Sequence, residues 1–183
     1  FHYHCENVDV GLVQATPLVE DLSATLTALA NFLPFSTSLL DRLSIKLHES
    51  KCQLVISDIS PLGLAVARHI NMPSILVENF TWDWIYAGYL DTHPTFERFI
   101  SLLQQLFASC TCRIQTHPLC SASPSADLTT PPISRASHSS AAQTRTALNI
   151  SQNQPVLLLT MGGIPADFSS IRAQPLNSQS PLI

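Results

Sequence analysis

Apolar positions along this chain alternate between two periods, and the alternation predicts its architecture. Residues 53–58 (QLVISD) and 74–78 (SILVE) are short, β-branched apolar runs of the kind buried in a parallel sheet. Between them the pattern turns helical. Ser60-Pro61 supplies a cap and a first-turn proline, Leu64, Ala65, Val66, Ala67 and His69 continue the helix, and Asn71 and Pro73 end it. After the second run, Trp82, Ile85, Tyr86 and Tyr89 stand at i, i+3, i+4 and i+7 on one face of a helix that Thr81 or Asn79 can cap. Trp84 lies about 200° around from Trp82, so the two tryptophans serve different faces. This strand–helix–strand–helix rhythm predicts an α/β fold with a parallel, doubly wound sheet.

The flanking segments extend the pattern. Residues 9–14 read as a short strand. Leu22, Leu26, Leu29, Ala30 and Leu33 form a helical stripe within residues 18–33, and Pro34 breaks it before a second helix over residues 36–50. Another helix is expected over residues 95–107 and a strand over 111–115. Residues 117–140 are rich in Pro, Ser and Thr with almost no periodicity, which reads as a long loop or linker, with a short helix after it near residues 140–148. Val156-Leu157-Leu158-Leu159 then leads into Gly162-Gly163, the start of a new α/β unit. The expected domains are an incomplete α/β domain over residues 1–116, a linker over 117–154, and the first strand of a second domain over 155–183.

Composition narrows the function. Of the 183 residues 45% are apolar and only 12% charged, about half the usual ~25%, and the formal net charge is −4. Without a basic cluster, nucleic acid and anionic membrane surfaces are poor partners, and no apolar run approaches the ~20 residues that span a bilayer. The five cysteines are odd in number and irregularly spaced, which reads as reduced, mostly buried thiols of a cytoplasmic protein. The histidines follow no metal-ligand spacing, and no metal or cofactor is expected. No phosphate-binding P-loop and no nucleophile elbow is present, so a kinase reading finds no phosphate-transfer machinery here.

Ligands of open parallel sheets sit at the carboxyl ends of strands, and three such ends can be named. Asp58, followed by Ser60, ends the first run; either residue serves as a helix cap or as a contact to a polar ligand. Glu78 and Asn79 end the second run beside Trp82. Carboxylates next to an indole suit a sugar, whose C–H face is apolar while its hydroxyls seek acceptors, but the aromatic stripe equally suits core packing. Gly162 and Gly163 follow the third run and offer either close phosphate approach or a simple tight turn.

Together DLSATLTALANFLP, QLVISDISPLGLAVARHINMPSILVENFTWDWIY, TTPPISR and PVLLLTMGGIP resemble the glycosyltransferase-like proteins of the GT-B fold, a group found in bacteria and as the amino-terminal part of plant L-arabinokinase. The resemblance covers roughly residues 8–168 and is most specific in the ENFTWDWIY block. It implies two Rossmann-like domains facing a cleft, this chain holding the acceptor-side half, and metal-independent transfer of a sugar from a nucleotide-sugar donor to a sugar acceptor. It places Asp58, Asn79 and Trp82 at the acceptor edge and Gly162 and Gly163 at the first turn of the donor domain. The chain departs from the group in lacking the opening glycine- and histidine-rich loop and the donor domain beyond Ile164, so transfer by the isolated chain is not expected. An alternative role is a sugar-binding regulatory appendage of a sugar kinase.

Overall fold

A computed structural model of the chain describes residues 3–158. Side-chain caps and prolines set most of its element boundaries. Residues 9–13 enter no strand; pairing begins only at β1 (Gln14–Thr16), which turns through Pro17 and Leu18 into β2 (Val19–Glu20). The expected helix therefore starts late. Asp21 caps α1 (Leu22–Phe32), its carboxylate accepting the Ala24 N–H at 2.8 Å. Ser36 caps α2 (Thr37–Glu49) through the Leu39 N–H. Then follow β3 (Val55–Asp58), α3 (Pro61–His69), β4 (Ser74–Glu78), α4 (Trp82–Ala87), a 3-10 turn at Pro94–Phe96 leading into α5 (Glu97–Phe107), β5 (Cys112–Thr116), β6 (Leu128–Thr130) and α6 (Ala141–Ala147).

Two compact units result. One comprises the described residues up to Val13 together with Asp21–Ser139; the other comprises Gln14–Glu20 and the described residues from Ser140 onward. In the second, the β1–β2 hairpin is antiparallel, and α6 carries the reciprocal cap in which Ser140 and Gln143 satisfy each other's backbone N–H. Val156, Leu157 and Leu158 are exposed and form no strand, and the Gly162–Gly163 turn lies outside the described residues.

The first unit is built on a four-stranded parallel sheet, β3-β4-β5-β6, flanked by helices in a Rossmann-like manner. β6 lies within the stretch expected to be loop and pairs Leu128 to Thr130 with Ile114 to Thr116. The doubly wound expectation needs correction within this unit. The strands follow one another in chain order, and right-handed crossovers that always step the same way keep their helices on one face. That face carries Ser57, Leu76 and Glu78. Gly63 of α3 approaches Ser57 closely enough that a Cβ there would stand 3.1 Å from its hydroxyl. Leu76 joins Leu64 of α3, Leu29 of α1 and Phe99, Leu103 and Phe107 of α5 in one buried core. On the opposite face Ile56 is 67% and Leu128 53% exposed, and neither joins that core.

Helix ends show where propensity is overruled. α2, α3 and α6 each close with a left-handed residue just past the cap, at Lys51, Asn71 and Asn149. The following N–H reaches back to the third-last helical carbonyl, as in Cys52 to Leu47 at 3.0 Å and Met72 to Ala67 at 2.8 Å. Asparagine adopts that conformation more readily than lysine, which pays a steric cost for it. Lys51→Gly is therefore expected to raise stability by about 0.5–1 kcal/mol in urea unfolding; a loss of stability would show that the Lys51 side chain supplies something its backbone strain conceals.

Candidate functional site

The carboxyl end of β4 is the most elaborated part of the sheet. Glu78, the last residue of that strand, is 2% exposed. Parallel register sets Gln115 of β5 beside it, and the two-residue strand period puts Arg113 on the same face. Glu78 Oε1 accepts from Arg113 Nε at 2.9 Å and from Gln115 Nε2 at 2.8 Å, with Arg113 Nη2 also 2.9 Å away. No donor reaches Oε2 among the described residues.

The chain between β5 and β6 folds over this pair. Ser123 N–H donates to Gln115 Oε1 at 2.9 Å, Gln115 Nε2 also donates to the Ser121 carbonyl at 3.0 Å, and Asp127 accepts the Arg113 N–H at 2.7 Å. Cys120 N–H donates to the Asn79 carbonyl at 2.9 Å. The result is a polar cavity of about 240 Å3 bounded by Glu78, Phe80, Thr81, Asp83, Trp84 and Arg113 on one side and residues 121–124 on the other. Asp83 lines it with one oxygen, Oδ1, buried without a hydrogen-bond partner, and Trp84 is 45% exposed. An orphaned buried oxygen costs about 1–3 kcal/mol. Chemically, the cavity offers acceptors for hydroxyl groups and an indole for an apolar ring face.

Trp82 is built into the fold differently. Its indole N–H donates to Asp9 Oδ2 at 3.3 Å, and its ring stacks on Tyr86 and meets Phe80 edge-on. Tyr86 in turn stacks on Phe96 with centroids 5.2 Å apart. The Tyr86 hydroxyl donates to the Gly11 carbonyl at 2.7 Å, and Gly11 has φ of +65° with the Trp82 ring close against it, a position suited only to glycine. This aromatic column fastens residues 9–11 to α4.

Burial, and secondarily the Asp9 carboxylate, push the Tyr86 phenol far above its ordinary value. The folded state thus keeps the phenol neutral. Its contribution to stability is complete below the unfolded-state value of about 10 and is lost as pH rises from there through the folded value. Melting temperature is expected to fall more steeply above about pH 10 in the native chain than in Tyr86→Phe, measured by near-ultraviolet circular dichroism. Parallel curves would remove Tyr86 as the cause.

The predicted site residues are thus divided. Glu78 lines the polar cavity, whereas Asp58 and Ser60 border a separate, largely apolar cavity of about 430 Å3 beside β3, Leu43 and Leu47. Asp58 is exposed. Ser60 stands at the cap position of α3 but makes no capping bond; its hydroxyl donates to the Val8 carbonyl at 3.0 Å. Between them Ile59 adopts φ of +59°, a costly conformation for a β-branched residue. Arg113, Gln115 and Asp83 were not named as site residues from the sequence, and Trp84 was read only as lying on a different helix face from Trp82. The alternation in CRIQT, with arginine and glutamine two apart on the strand expected over residues 111–115, was the available signal for the first two.

Among the described residues no three His, Cys, Asp or Glu side chains gather closely enough to hold a metal ion, and no helix is long and apolar enough to cross a membrane. The five cysteines are free thiols; contrary to expectation none is fully buried, and Cys5 and Cys120 are exposed.

No family model matches the chain, and no solved structure gives a significant match. Among curated proteins the chain is similar to L-arabinokinase of Arabidopsis thaliana, with 28% identity over 172 residues. The matched region takes in 88% of this chain but only 16% of the length of that relative. Over most of its length, then, the chain is distantly similar to a protein named L-arabinokinase.

Proposed function

We propose that this chain is the acceptor-side half of a glycosyltransferase-like protein of the GT-B fold, and that the cavity at the carboxyl ends of β4 and β5 takes a sugar. The observation that carries the reading is the pairing of carboxylate oxygens lacking donors, on Glu78 and Asp83, with the half-exposed Trp84 ring. In the whole protein the sugar would be the acceptor for transfer from a nucleotide-sugar. The donor-side residues assigned to that step, Gly162 and Gly163, fall outside the described residues. Asn79 and Trp82 keep an indirect part, since Asn79 anchors the loop over the cavity through Cys120 and Trp82 positions α4, whereas Asp58 borders the separate cavity beside β3.

The similarity to a protein named L-arabinokinase favours a second reading, in which the same site belongs to a non-catalytic sugar-binding appendage of a sugar kinase. Calorimetric titration of the chain with L-arabinose, D-xylose, D-galactose and D-glucose tests the shared element. Saturable binding in the millimolar range or tighter is expected for at least one aldose, and binding of none overturns both readings. Titration of the full-length protein with uridine-diphosphate sugars separates them: donor binding and turnover belong to the first reading, and sugar binding without either belongs to the second.

A further inference from the structure

Resting on the sugar-site reading above, we propose that this cavity accepts its sugar unphosphorylated and discriminates against the phosphate ester. The charged groups that line it are Glu78, Asp83 and Arg113. Arg113 is the sole cation of the three and is already committed. Its Nε and Nη2 are held at Glu78 Oε1, both at 2.9 Å, and its Nη1 lies 3.4 Å from Ser125 Oγ. Diverting the guanidinium to a phosphate would leave Glu78 as a buried carboxylate without its counter-charge, which is strongly unfavourable. The remaining charge is the carboxylate of Asp83, so the cavity carries about one net negative charge.

Donor and acceptor supply points the same way. The Gln115 amide, the other strong donor at the site, is spent on Glu78 Oε1 and the Ser121 carbonyl. Among the charged side chains, what is left without a partner is acceptor-only: Glu78 Oε2 and the Asp83 carboxylate. A sugar hydroxyl can donate to these oxygens and a phosphate dianion cannot. Thr81 and Ser121 add neutral hydroxyls that serve either ligand. The volume of about 240 Å3 is below the ~300–1,000 Å3 of pockets for drug-sized ligands and suits one sugar ring rather than a whole nucleotide-sugar.

The test is a calorimetric comparison on the full chain, using the tightest-binding aldose of the four above and the same aldose as its 1-phosphate. The phosphate ester is expected to bind at least about tenfold more weakly, with the gap widening at low ionic strength. In Asp83→Asn, checked for native circular dichroism, the ratio should move toward unity. Equal or tighter binding of the 1-phosphate by the native chain overturns this proposal and leaves the sugar site standing. Failure of every aldose to bind removes the sugar site and this proposal with it. If Asp83→Asn does not fold, the ratio measured on the native chain decides alone.

Discussion

Arg113→Met is expected to destabilise the chain by about 3 kcal/mol, at the lower end of the ~3–5 kcal/mol lost when one partner of a buried ion pair is removed. The lower end applies because Arg113 is itself 18% exposed, so water can reach part of the site. Glu78 would keep one hydrogen bond, from Gln115, and lose its counter-charge while remaining buried. Against a total stability of about 5–15 kcal/mol this is a large fraction. The double variant Glu78→Gln, Arg113→Met should recover most of the loss, because the cost lies in the stranded carboxylate more than in the missing attraction. Urea unfolding of the two single variants and the double variant measures this. A loss below about 1 kcal/mol for Arg113→Met would mean that the pair behaves as a surface ion pair and that the cavity is wetter than its burial implies.

Phe96→Ala should cost about 3–5 kcal/mol, since deleting a fully buried ring removes its transfer energy and leaves a void. Phe96 is 0% exposed and lies against Tyr86, Tyr89 and His93, so its loss opens the end of the column that also holds Trp82. Loosening should therefore reach residues 9–11 through the Tyr86 and Trp82 hydrogen bonds. Faster amide exchange there than in β3 would accompany the lower unfolding midpoint. A loss confined to the 3-10 turn, with Gly11 protected as before, would show that the column is not one cooperative unit.

The parts of the fold that were legible share a physical cause. β4 was read at its observed bounds because SILVE is a β-branched run closed by Pro73 before it and a polar turn after it. α3 began where Ser60-Pro61 said it would, although Ser60 spends its hydroxyl on Val8, a partner 52 residues away that local reasoning cannot see. β6 was missed because three exposed or half-buried residues at a sheet edge need no apolar pattern and take their strand character from β5. Residues 9–13 have strand composition yet are held by side-chain bonds to Trp82, Tyr86 and Thr25 instead of by a neighbouring strand.

The site was half legible for the same reason. Position at a strand end pointed to Glu78, but which residues face it depends on the register between β4 and β5, and register is tertiary information. Helical geometry correctly separated the two tryptophans by face. Assigning the faces needed the aromatic column, which claims Trp82 and leaves Trp84 at the cavity.

That separation supplies the most direct test of the sugar site. Intrinsic fluorescence of the chain, titrated with the aldose panel, should change saturably in the native protein and in Trp82→Phe, provided that variant melts cooperatively. The change should vanish in Trp84→Phe, where the reporting indole is gone. A saturable change that survives Trp84→Phe and disappears with Trp82→Phe would place the ligand elsewhere and contradict the cavity beside Glu78, Asp83 and Trp84 as the binding site.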